Sequence, residues 1–179
     1  YPNCDIWCAR ILEELYFKQL VPPDEVSAIF VEPIQGEGGY IVPPPEFIQI
    51  IRGIAERHGI PYVDDEVQAG IGKTGKMLAI EHHGVSANCT SLGKALGSGV
   101  AVGAQVLDAD LDFGVQGAHS NTFGGNGIAL AAVKATLDTI EQERLVERAA
   151  ELGDYFIERL RALQEAFPAI GDVRGKGLM

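Results

Sequence analysis

The chain has little cysteine, little positive charge and no long apolar run. Its 179 residues include three cysteines, at positions 4, 8 and 89. An odd number at that density builds no disulfide framework, so a reducing, cytoplasmic setting is expected. Cys4 and Cys8 lie one helical turn apart, but no second pair of ligands accompanies them, so helix-face cysteines are expected and not a metal site. Fourteen basic residues against 25 acidic ones leave a net charge of −11. A phosphate-backbone binder needs the opposite balance, which argues against nucleic acid as a partner. No apolar stretch approaches the ~20 residues that span a bilayer. Tyr1–Asp5 shows neither the basic nor the apolar part of a signal peptide. A hydrophobic content of 46% with 22% charged residues suits a globular domain with a sizeable core.

What the chain does have is an alternation of helical and extended patterns. Asp5 to Leu20 carries apolar residues at a helical period, with Asp5 as candidate N-cap and Pro22-Pro23 as its end. Ser27–Val31 reads as a buried strand that stops at Glu32-Pro33. Gln35–Gly39 is then a tight loop, and Glu46–His58 an amphipathic helix with Gly59 as C-cap. Further strands are expected at Ile60–Val63, Asn88–Leu92 and Val100–Leu107. Gly117–Asn126 is a polar, glycine-rich loop. Helices follow over Ile128–Gln142 and Leu145–Phe167, the second with Leu152, Phe156, Leu160 and Leu163 on one face. Gly171–Met179 looks like the lead into another strand. Strand, helix, strand with short joins implies parallel pairs and a layered α/β domain. The break near Glu141–Leu145 suggests a division, with residues 1–142 in one domain and 143–179 starting a second.

In open parallel sheets, ligands sit beyond the carboxyl ends of the strands. Glu32, Asp65 and Lys94 all fall at such ends, and Asp65 and Lys94 are 29 positions apart. The plain alternative is that the acids cap turns and Lys94 is a solvated surface lysine. Gly93, Ala95, Gly97 and Gly99 around Lys94 favour the first reading, because small residues let a bulky group approach the backbone. A partly desolvated lysine can attack a carbonyl to form a Schiff base. An aspartate aimed at a pyridinium nitrogen keeps that ring an electron sink. Thr122, in Asn-Thr-Phe-Gly-Gly, offers a hydroxyl and backbone N–H groups suited to a phosphate. These are the parts that pyridoxal phosphate chemistry requires. Gly72-Lys73-Thr74 imitates the end of a nucleoside-triphosphate loop, but the glycine required five positions before Gly72 is Val67. The ATP reading is rejected.

The stretches Val31–Gly39 (VEPIQGEGG), Asp64–Lys76 (DDEVQAGIGKTGK), Ser91–Gly99 (SLGKALGSG) and Ser120–Asn126 (SNTFGGN) closely resemble the class III, or ω-amino-acid, aminotransferases. The resemblance extends over essentially the whole chain, including the terminal VRGKGLM. It implies the large domain of a fold-type I pyridoxal-phosphate (PLP)-dependent transferase, a mostly parallel sheet flanked by helices, followed by the start of the small C-terminal domain. It implies that Lys94 holds the cofactor aldehyde and shuttles the substrate proton, that Asp65 pairs with the pyridine nitrogen, that Val67 packs on the ring, and that Gln68 bonds to the 3-hydroxyl side. Thr122 would bind the cofactor phosphate of a neighbouring subunit, which implies a homodimer with shared sites. Glu37 resembles a glutamate that pairs with a substrate-binding arginine and releases it when an α-carboxylate must be held. Glu32 would support the site from behind or simply cap the loop.

The implied substrates are an amino acid, with acetylornithine, ornithine and 4-aminobutyrate suggested, and a 2-oxo acid. An amino-acid racemase on the same scaffold needs the same lysine and aspartate. Family members are substantially longer, so an internal fragment is expected, without the N-terminal phosphate loop, the stacking aromatic residue and the C-terminal arginine. An inactive remnant is the third reading. Lys73, where arginine is common, and Asn121 are minor departures from the family pattern.

Overall fold

The structure, a computed structural model, describes residues 4–179. Four short strands form one sheet in chain order: β1 (Ile29–Val31), β2 (Tyr62–Asp65), β3 (Cys89–Leu92) and β4 (Ala104–Leu107). β1, β2 and β3 run parallel, with Val31 opposite Asp64 and Asp65 opposite Ser91. β4 is antiparallel to β3, placing Ala104 opposite Leu92. The extended run expected over Val100–Leu107 therefore enters the sheet only at Ala104. Before it, Ser98 (φ 45°) and Gly99 (φ 106°) turn the chain back through left-handed backbone. Glycine takes that conformation at no steric cost.

The helix between β1 and β2, α3 (Pro45–Arg57), starts on a proline whose fixed φ suits the first turn. It ends before Gly59 (φ 65°), the left-handed residue that follows so many helices. One stripe of α3 is buried: Ile48, Ile51, Ile54 and Ala55. Ile48, Ile51 and Ala55 close a core with Ala9, Tyr62 and Ile80. Tyr62 and Asp64 alternate with Val63 and Asp65, so they share the face of β2 towards this core.

The N-terminal helical region differs from its expected form. It comprises α1 (Trp7–Ile11), a π-helical stretch (Leu12–Tyr16) and α2 (Phe17–Gln19). Asp5 does not cap it. Its carboxylate pairs with Arg10 while Ile6 stands at the cap position without a side-chain bond. Two later helices, α4 (Gly127–Gln142) and α5 (Leu145–Ala166), flank a break at the expected place. Asn126 caps α4, its side-chain oxygen accepting from the Ala129 N–H at 2.9 Å. On α5 the apolar stripe is not buried: Phe156 and Leu163 are exposed, and the buried positions are Ala149 and Gly153.

Residues 171–179 form no strand. They return across the turns, with the Leu178 N–H donating to the Lys73 carbonyl at 2.9 Å and Arg174 Nε to that of Gly39 at 3.0 Å. No helix of the described residues is long and apolar enough to cross a membrane.

Candidate active site at the carboxyl ends of β2 and β3

β2 ends at Asp65 and β3 at Leu92, and the parallel register sets Asp65 beside Ser91, three residues before Lys94. Lys94 is exposed and opens a short 3-10 turn (Lys94–Gly97) with φ 43°. A long-chain residue held in left-handed backbone is uncommon and strained, and such strain clusters at functional sites. Gly93 brings Val67 alongside: a Cβ there would lie 3.4 Å from Val67 Cγ1, in ordinary van der Waals contact. Val67 and Lys94 thus flank one small-residue opening.

Asp65 is half-buried and uses one oxygen locally, Oδ1 accepting the Val67 N–H at 3.0 Å. That bond fixes the carboxylate at the strand end. No hydrogen bond of the described residues engages Oδ2, which is left to receive an N–H from outside the chain.

Gln68 folds over the β1 loop. A Cβ on Gly36 would lie 2.5 Å from Gln68 Cδ, so the amide occupies the space a side chain at 36 would fill. From there Nε2 donates to Glu37 Oε1 at 2.9 Å. Two residues expected to act separately are therefore joined. Glu32 closes the same loop, Oε2 accepting the Gly36 N–H at 2.5 Å.

Thr122 stands in an exposed turn before α4, and no hydrogen bond of the described residues links it to Asp65 or Lys94. Lys73 lines a cavity with Ala95, Gly97 and Ser98 of the turn that Lys94 opens. Thr74 is buried, with its Oγ1 3.1 Å from His82 Nε2, so the imitation of a nucleotide loop is a packing element.

Two acids were missed from sequence. Asp64 and Glu66 are fully buried on either side of Asp65. Glu66 Oε1 accepts the Ile80 N–H at 2.8 Å. Its Oε2 and both oxygens of Asp64 meet no donor among the described residues. Burial, next to the Glu66 carboxylate, pushes Asp64 up to about 9. The signal was present in Tyr62-Val63-Asp64-Asp65-Glu66, where strand alternation turns 64 inward if 65 faces the opening.

An aromatic aldehyde bearing a basic ring nitrogen fits this opening: a primary amine on strained backbone, a carboxylate oxygen without a donor, a valine beside a glycine, and an amide. The observation that tests the fit is Asp65, whose Oδ1 is held by the Val67 N–H at 3.0 Å while no hydrogen bond of the described residues reaches Oδ2.

The family model for class-III aminotransferases matches residues 2–179. An alanine/serine racemase of Pyrococcus horikoshii is 42% identical over 94% of this chain and 35% of its own length. An acetylornithine aminotransferase of Methanothermobacter thermautotrophicus is 41% identical over 87% of this chain and 40% of its own. Among solved structures, an ornithine aminotransferase of Toxoplasma gondii with PLP at partial occupancy in its active site superposes with a TM-score of 0.82. That match has 39% identity and covers 88% of this chain and 37% of the other. The chain thus spans about two fifths of the length of these relatives.

Proposed function

The chain belongs to the class-III aminotransferase family, and from that premise we propose that it carries the lysine half of a PLP site moving an amino group between an amino acid and a 2-oxo acid. The strained backbone of Lys94, three residues past the Ser91 that stands opposite Asp65, is the observation that carries this reading. Members of the family are PLP-dependent, and their fold, a mostly parallel sheet flanked by helices, is the one found here.

Bound at this opening, pyridoxal phosphate supplies an electron sink for negative charge at the substrate α-carbon. The rest falls to the chain. Lys94 Nζ would hold the cofactor through its carbonyl carbon and would carry the proton at the substrate α-carbon. Asp65, through Oδ2, would accept from the ring N–H and keep the nitrogen protonated. Val67 packs on the ring and Gln68 donates to its 3-hydroxyl oxygen. Glu37 gates the substrate carboxylate, with Gln68 as its present partner. Thr122 serves the phosphate held in a second copy, which its exposure supports. On this reading the protein is a cytoplasmic homodimer, with residues 1–142 in the cofactor domain and 143–179 beginning the small one. Ornithine and acetylornithine lead the candidate substrates because relatives named for them share 41–44% identity.

A racemase is the second reading, favoured by the 42% and 40% identity to an alanine/serine and a leucine/methionine racemase. Titration with pyridoxal phosphate should give a visible absorption band that Lys94→Ala abolishes. A wild-type protein without the band, or a variant that keeps it, refutes the site. Incubation with an L-amino acid separates the reactions: D-isomer formation without an oxo acid identifies a racemase.

A further inference from the structure

The pair Asp64 and Glu66 has no part in the reading above, and its chemistry is unusual. Neither residue has any exposed surface. A carboxylate buried without a donor is far too costly to persist, so the group must gain a proton or a partner. Asp64 has no N–H or O–H near either oxygen, whereas Glu66 already receives the Ile80 N–H at 2.8 Å. The two carboxyl groups lie within hydrogen-bonding reach of each other. One shared proton pairs two of the three unpartnered oxygens, one on each residue. Placed on Asp64 it makes that residue the donor, and Glu66 Oε2 becomes its acceptor.

Among the described residues no cation stands ready to replace that proton. The other acids acting on the pair are Asp65 and Glu81. From α3, Arg52 acts on Tyr62, and its Nε is committed to the Ser86 carbonyl at 2.8 Å. His83, on the turn beneath, has its pKa lowered by burial and donates Nε2–H to the Pro33 carbonyl at 3.2 Å. The buried hydroxyl of Tyr62 shares the same face of β2.

Glu66 is also the post around which the next turn folds. Its carbonyl accepts the Gly70 N–H at 3.0 Å, and a Cβ on Gly70 would lie 2.8 Å from that carbonyl and 3.2 Å from Oε2. Val67 and Gln68 ride on this turn, and Asp65 is clasped to it through the Val67 N–H. Resting on the functional reading above, we propose that Asp64 and Glu66 are a one-proton positioning pair that sets the turn presenting Asp65, Val67 and Gln68 to the cofactor.

Two variants and two readouts test this. Asp64→Asn keeps a donor but cannot titrate, while Asp64→Leu removes the donor. Infrared spectroscopy of the protein without cofactor should show the carbonyl stretch of a buried protonated acid at pH 7, lost in Asp64→Asn. Pyridoxal phosphate affinity, from the visible band, should stay within about twofold of wild type in Asp64→Asn. It should weaken about tenfold in Asp64→Leu, the effect of one buried acceptor left unpaired. Wild-type affinity should fall as the pair loses its last proton above pH ~9, as two adjacent carboxylates repel, and Asp64→Asn should show no such fall. An absent acid band, or parallel pH profiles for wild type and Asp64→Asn, overturns the proposal. If Asp64→Leu does not fold, the pH profile of Asp64→Asn decides. A protein that shows the acid band but binds no cofactor refutes the functional reading and leaves the shared proton standing.

Discussion

Replacing Asp64 by asparagine should stabilise the protein, and by more as the pH rises. In the unfolded chain Asp64 ionises near its ordinary value of 3.8, whereas in the fold it holds its proton up to about 9. Between those values folding takes up one proton, so the folded state binds more protons than the unfolded one. Wild-type stability therefore loses about 1.4 kcal/mol per pH unit through this group, starting near pH 4 and levelling off near pH 9. Asparagine takes up no proton. At pH 7 the interval is about three units, which caps the gain at about 4 kcal/mol. Its amide has a second N–H, and neither Asp64 oxygen meets a partner in the fold. One unpaired donor subtracts about 1–3 kcal/mol. The net gain at pH 7 is then about 1–3 kcal/mol, which at about 2–4 °C per kcal/mol is a rise of several degrees in Tm. Thermal unfolding of both proteins at pH 5, 7 and 9 measures it. A difference in Tm that is constant with pH, or that shrinks as pH rises, refutes the buried proton.

Ile54, fully buried under the sheet, should cost about 2–5 kcal/mol as Ile54→Ala through lost transfer energy and a cavity. Urea unfolding should show an unchanged m-value with a lowered midpoint; a loss under 1 kcal/mol would mean that the α3 face collapses to fill the space. Asn126→Ala removes the only side-chain cap of α4 and should cost about 1 kcal/mol. Asn126→Gly should recover most of that, by the same thermal measurement.

The strands and α3 were legible because apolar alternation, Pro45 and Gly59 act over a few residues. So was the position of Asp65 and of the turn opened by Lys94 at the ends of neighbouring strands, since parallel pairing puts those ends side by side whatever lies between. The antiparallel β4 was hidden because its direction is set by two left-handed residues, Ser98 and Gly99, whose conformation leaves no periodic trace. Asp5 read as a cap, but Arg10 competes for its carboxylate. The α5 stripe of Leu152, Phe156 and Leu163 was legible as an amphipathic face, but periodicity does not say what covers it. Asp64 was passed over for the opposite reason. A charged residue in a strand reads as outward, and only alternation from Asp65 reveals that it must point in. The bond between Gln68 and Glu37 spans 31 positions and depends on the bare Gly36, a relation that no local pattern carries.

The return of Arg174 to the Gly39 carbonyl closes a separation of 135 residues. At ribosomal speeds of about 5–20 residues per second, that bond waits on the order of 10 s after the first loop has emerged. The Gln35–Gly39 loop can meet Glu32 and Gln68 early, while its Gly39 corner waits for Arg174. Contacts of such long sequence separation are also the slowest to form in refolding. The Gly39 corner of the loop is thus among the earliest segments made and among the last to be fixed.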